Sequence, residues 1–165
     1  MKDFLTKAMK TVLDYIIALA IYFIFFLPYI TILGDNANDW LWLLSLILFL
    51  FLARMLFKDY KSMGRKAPNK EKRLSISALK GFALGLVGIT PLILIGLTYF
   101  IVNIETPVVK EIVEYGYRKF LFGPVYFIAD LLGEGVASYT VAVLAIPVTA
   151  MIGYLFGYYN FSLKN

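Results

Sequence analysis

The sequence predicts an all-α, polytopic membrane protein: a bundle of four transmembrane helices forming a single integral membrane domain over residues 1–165. Of the 165 residues, 61% are hydrophobic and 16% are charged, whereas soluble domains have about 45–50% apolar and about 25% charged residues. The mean hydropathy is +0.77. A core of this size is too small to bury that much apolar surface, so a lipid bilayer is the expected solvent.

Four segments are apolar enough to cross the hydrocarbon layer, which takes about 20 residues. They lie at about residues 11–33, 40–57, 81–104 and 139–159. The last two contain no charged residue, and the second contains only Arg54. The first exceeds the about 15 apolar residues of a signal peptide, and a short polar turn leads from it directly into the second. The first two spans are therefore expected to form a helical hairpin.

The stretch between the third and fourth spans is harder to assign. We expect an interfacial or re-entrant helical segment at about 107–133, because its apolar run, 120–132, is broken by Gly123 and Pro124 and contains Asp130. A run of this length is too short to cross the hydrocarbon layer. The alternative is a fifth span over about 120–138, which would place the C-terminus outside the cell.

The distribution of basic residues predicts the orientation in the cell membrane. Thirteen of the sixteen Lys and Arg residues belong to the termini, the inner ends of the spans and a basic loop at 58–80, and only three lie on the other side. The positive-inside rule therefore places both termini and this loop in the cytoplasm. Anionic lipid is the expected partner of the loop. Nucleic acid is not, because the loop is short and flanked by spans.

Small residues and prolines predict how the spans pack. Small side chains on one helix face let backbones approach closely in lipid, and two such stripes are Gly81, Gly85, Gly88 and Gly96, and Ala145, Thr149, Gly153 and Gly157. Packing of the third span on the fourth is the favoured interpretation, and a homodimer seam is the alternative. Kinks are expected inside three spans at Pro28, Pro91 and Pro147.

Ionisable residues inside spans are the main candidates for function. Asp14 and Arg54 lie about one turn inside the cytoplasmic ends of the two hairpin spans, so one interpretation is a buried ion pair or a proton or ion relay. The favoured interpretation is structural: Arg54 reaches lipid phosphates, and Asp14 pairs with Lys10 four residues earlier. Asp130 and Glu134 form a candidate acidic outer site for acid–base chemistry or cations.

The composition excludes several classes of function. The chain has no Cys and no His, which excludes thiol chemistry, disulfides, Cys-ligated metal and imidazole ligation. No catalytic residues, metal or cofactor are predicted. We expect a non-enzymatic, transport-related or accessory subunit of a membrane complex, with a protein partner or a homo-oligomer formed through the small-residue faces. The alternatives are a self-contained, oligomeric transporter for small solutes or ions and, third, a membrane enzyme acting on lipid-linked substrates.

Overall fold

Every element that the structure describes is helical, as the sequence predicts. A computed structural model describes residues 2–66, 74–101, 116–133 and 135–159. The α-helices are α1 (Lys2–Leu33), α2 (Ala37–Arg65), α3 (Leu74–Ile101), α4 (Tyr126–Leu131) and α5 (Val136–Tyr158). Short 3-10 turns at Gly34–Asn36 and Gly123–Val125, and one wide turn of π type at Gly116–Leu121, complete the described chain.

Three of these helices are long and apolar enough to cross a membrane: Leu5–Leu33, Ala37–Arg65 and Ala137–Tyr158. The prediction of long apolar helices is confirmed for these three. The third predicted span falls on α3, which has 28 residues. Its described apolar part, Leu79–Ile95, is shorter than the other three.

The hairpin of α1 and α2 closes through a tight turn. Gly34 has a φ of +54°, in the left-handed region where glycine carries no steric penalty. Helices α2 and α3 extend beyond their apolar parts into the predicted loop. Residues 58–65 continue α2, and residues 74–80 begin α3. Hydropathy marks the edge of the apolar layer, whereas a helix continues for as long as its backbone hydrogen bonds are made.

Glycines place α5 between α2 and α3. A Cβ at Gly85 would lie 2.7 Å from the Cα of Pro147 in α5, so α3 packs closely on α5. A Cβ at Gly153 would lie 2.9 Å from the carbonyl oxygen of Phe57 in α2. Gly153 of α5 therefore faces α2, while Gly85 of α3 contributes to the contact between α3 and α5.

The remaining members of the two stripes have different neighbours. Gly81 faces Met151 and Tyr154 of α5, whereas Gly88 faces Ala8 and Thr11 of α1. In α5, Thr149 donates a hydrogen bond to the carbonyl of Ala145 at 2.8 Å, within its own helix. The surroundings of Gly96 lie outside the described residues. Three helices include a proline, with Pro28 in α1, Pro91 in α3 and Pro147 in α5.

The chain between α3 and α5 is broken into short pieces. We call residues 116–131 the broken segment: a wide turn, a 3-10 turn and α4, of which none exceeds six residues. At 1.5 Å per residue α4 is about 9 Å long, against about 30 Å for the hydrocarbon core. Leu132 and Gly133 then turn the chain, with Gly133 at φ +89°. No continuous helix therefore forms the alternative fifth span over 120–138, and residues 107–115 lie outside the described chain.

Candidate functional site

The break at Gly123 and Pro124 is held by two side chains from the hairpin. The Ser45 hydroxyl donates to the Gly123 carbonyl at 2.6 Å and accepts from the Phe127 backbone N–H at 2.9 Å. The Tyr15 hydroxyl donates to the Leu121 carbonyl at 2.5 Å. Backbone groups left unpaired in hydrocarbon cost several kcal/mol each, so these bonds make the interrupted backbone tolerable in an apolar interior.

The broken segment reaches well into the bundle from the end that carries the Gly34–Asn36 turn. Lys119 donates to Asn38 Oδ1 at 3.0 Å near that turn. Ser45 lies eight residues into α2, or about 12 Å along the axis. The Tyr22 ring lies against Gly123, where a Cβ would come within 2.7 Å of it. The segment therefore packs inside the bundle, against both α1 and α2.

At the other end of the bundle, α1 and α2 bring together a group of polar side chains that we call the Asp14 cluster. Its members are Lys10, Thr11, Asp14, Asp59 and Tyr60. The Lys10 ammonium forms an ion pair with Asp59 Oδ2 at 2.8 Å. The Thr11 and Tyr60 hydroxyls are hydrogen-bonded at 2.6 Å, and both side chains are buried. Helix α3 closes the cluster, because its Gly88 lies against Thr11.

Asp14 is the unusual member of the cluster. Its side chain is only 7% exposed, and Oδ2 is buried without a hydrogen-bond partner among the described residues. Opposite charges act on the carboxylate, since both Asp59 and Lys10 lie near it. A charged or polar group that is buried without a partner costs free energy. This oxygen is therefore a candidate binding atom for a ligand.

The structure does not bring Asp14 and Arg54 together. The buried face of α2 includes Leu48, Leu52, Leu56 and Tyr60. Arg54 follows Leu52 by two residues, which rotates its side chain by about 200° around the helix axis. Arg54 is therefore exposed on the opposite face. The ion pair between Asp14 and Arg54, the less favoured interpretation, is not formed among the described residues. Lys10, the favoured partner of Asp14, forms its ion pair with Asp59.

The candidate acidic outer site is described only in part. Asp130 is partly buried at the end of α4, where the Tyr126 hydroxyl donates to its Oδ1 at 3.4 Å. Glu134 lies outside the described residues. The described chain contains no group of three or more acidic side chains arranged to hold a metal ion. The pairing of Asp130 with Glu134 stays a prediction.

A small apolar cavity of about 140 Å³ lies between α1 and α3, beside the tip of the broken segment. It is lined by Val12, Tyr15, Ile16, Leu19, Gly88, Ile89, Pro91, Leu92, Ile95 and Leu121. The lining contains no charged side chain, so the cavity offers nothing to bind a polar cofactor.

Sequence reasoning missed Asp59 and Tyr60 because it assigned residues 58–80 to a loop. One signal was available: Leu52, Leu56 and Tyr60 continue the spacing of four residues that marks the buried face of α2. For Ser45 and Tyr15 no local signal exists, since their partners lie 78 and 106 residues away.

Comparison with known proteins finds no similar protein. The chain matches no family model, no curated protein and no solved structure at a significant level. The three long apolar helices fit a membrane-embedded protein, and this class is as far as fold and comparison lead.

Proposed function

We propose that this protein is a self-contained membrane transporter for ions or small solutes, in which Asp14 binds the transported or coupling ion. The observation that carries the proposal is the buried Oδ2 of Asp14, which has no partner among the described residues. The nearby groups are engaged elsewhere, since Lys10 binds Asp59 and Thr11 binds Tyr60. Ionisable side chains within spans are costly and mark substrate or ion pathways.

The broken segment supports the same function. Irregular backbone at membrane depth is tolerated where it is buried in protein or lines a cavity, and interrupted helices form ion and substrate sites in transporters. Tyr15, which bonds Leu121 in the break, directly follows Asp14 in α1. Movement of the broken segment would therefore act on the part of α1 that carries the carboxylate.

The other two interpretations lack a comparable observation. An accessory subunit that acts through helix faces alone does not need a buried carboxylate without a partner. An enzyme acting on lipid-linked substrates would rest on Asp130, whose described partner is Tyr126 of its own helix. The transporter interpretation uses the buried carboxylate oxygen that has no partner among the described residues.

The proposal includes a topology of four spans, with α3 as one of them, both termini in the cytoplasm, and the broken segment entering from the outside. Because the chain has no native Cys, single cysteines report sidedness cleanly. We expect Leu132→Cys, in the exposed turn before α5, to react with a membrane-impermeant maleimide in intact cells. Lys66→Cys, after α2, should react only after permeabilisation. The reverse pattern, or labelling of both in intact cells, would contradict this topology.

Ion flux through proteoliposomes tests the role of Asp14. We expect purified wild-type protein to carry an ion current, and Asp14→Asn to reduce it to the level of protein-free liposomes, because an amide cannot replace the charged carboxylate. Asp39→Asn is the matched control, since Asp39 is exposed at the start of α2, and it should retain the wild-type rate. The measurement is the initial flux per protein molecule.

Two results would count against the proposal. Equal flux for Asp14→Asn and wild type would remove Asp14 from the pathway. No flux from the wild type, together with a stoichiometric partner copurifying from native membranes, would favour the accessory-subunit interpretation.

A further inference from the structure

We infer that the ion bound by Asp14 is a proton rather than a metal cation. This inference rests on the proposed function and names the ion for the same site. It follows from the ligands that the Asp14 cluster offers and from the charges around the carboxylate.

The cluster offers too few oxygens for a metal ion. Calcium takes about six to eight oxygen ligands, and magnesium requires near-octahedral coordination. In the part of the chain that the structure describes, no three acidic side chains come together. The hydroxyls of Thr11 and Tyr60 in the cluster are bonded to each other at 2.6 Å. A proton needs a single oxygen, and Asp14 Oδ2 is one.

The charges around Asp14 also fit a proton. Lys10 on α1 and Asp59 on α2 are paired at 2.8 Å, so together they contribute little net charge. On α3 the described titratable group is Lys80, eight residues before Gly88 and so about 12 Å away along the axis. On α5, Tyr154 lies against Gly81. One proton on Asp14 therefore makes the cluster neutral, as a monovalent cation would, whereas a divalent cation would leave it positive.

The route for the proton is short. When Asp14 takes up a proton, an O–H bond forms at Oδ2, and on release that bond breaks and the proton returns to water. Water reaches the edge of the cluster, where the side chains of Lys10 and Asp59 are 53% and 27% exposed. In the bonded pair of Thr11 and Tyr60 one hydroxyl donates, so the other keeps its own proton for a further acceptor.

Infrared difference spectroscopy tests proton binding without any transport assay. In purified protein taken from high to low pH, we expect a carboxylic acid C=O band that shifts in D₂O and disappears in Asp14→Asn. Asp14→Glu keeps the carboxyl group, so it should retain a shifted band. Added Na⁺ or Mg²⁺ should leave the spectrum unchanged. Absence of the acid band in wild type, or a carboxylate band that responds to either metal, would overturn the inference.

A flux experiment separates this inference from the function that it refines. Proteoliposomes loaded with a pH-sensitive dye, in a medium with choline as the sole external cation, should acidify when a proton gradient is applied. A flux that needs Na⁺ and ignores the proton gradient would contradict the proton and leave the transporter intact. An acid band from Asp14 with no flux of any ion would support the proton site and overturn the transporter.

Discussion

Replacing Ser45 with alanine is expected to lower the free energy of unfolding by about 2–5 kcal/mol. One hydroxyl serves two backbone groups of the break, the Gly123 carbonyl at 2.6 Å and the Phe127 N–H at 2.9 Å. A buried group left without its partner costs about 1–3 kcal/mol, and no water is present in an apolar layer to replace the lost bonds. Denaturation of the purified protein in mixed micelles measures the loss.

Thr31→Ala is the control for Ser45→Ala. Thr31 is exposed, and its hydroxyl donates to the Leu27 carbonyl at 2.9 Å within the same helix. That carbonyl keeps its place in the helical hydrogen-bond ladder, so we expect near wild-type stability. Equal losses for the two variants would show that Ser45 does not hold the broken segment.

Alanine in place of Gly157 is expected to destabilise the protein by about 1–3 kcal/mol, the usual effect of overpacking. A Cβ at this position would overlap the backbone carbonyl oxygen of Lys61 and lie 2.7 Å from its carbon. Backbone atoms cannot rotate aside as the end of a side chain can, so α2 and α5 must separate. Gly153, one turn earlier, would then lose its close approach to Phe57. Thermal unfolding in detergent measures the effect.

Gly135→Ala, at the N-cap of the same helix, is the matched control. Gly135 precedes α5 with a φ of −77°, and a Cβ there would meet only the Ser138 hydroxyl at 3.8 Å. We expect unchanged stability. If Gly157→Ala were as stable as this control but changed the oligomer size in detergent, the stripe would be a dimer seam instead of a contact between α2 and α5.

Hydropathy predicted the all-helical class and the apolar helices because composition alone decides which segments enter lipid. It did not predict where the helices end. The sequence becomes charged after Phe57, yet α2 continues through Asp59 and Tyr60 to Arg65. Two of the five members of the Asp14 cluster, Asp59 and Tyr60, lie in this extension, which the sequence alone assigns to a loop.

The less favoured pair of Asp14 with Arg54 is absent from the described residues for a geometric reason. Depth along the helix axes suggested the pair, but the rotation about the axis of α2 turns Arg54 away from α1, towards the face opposite Leu52 and Leu56. Gly123 and Pro124 predicted the break from the sequence. The side chains that hold the break, Ser45 and Tyr15, could not be predicted, because tertiary hydrogen bonds between distant residues leave no periodic pattern in the sequence.

The most direct test of the central claim is the initial ion flux of wild type, Asp14→Asn and Asp39→Asn in one proteoliposome preparation. Asp14 is buried with an oxygen that lacks a partner in the described chain, whereas Asp39 is exposed. We predict that Asp14→Asn falls to the background of protein-free liposomes while Asp39→Asn matches the wild type. Wild-type flux from a folded Asp14→Asn protein would contradict the account.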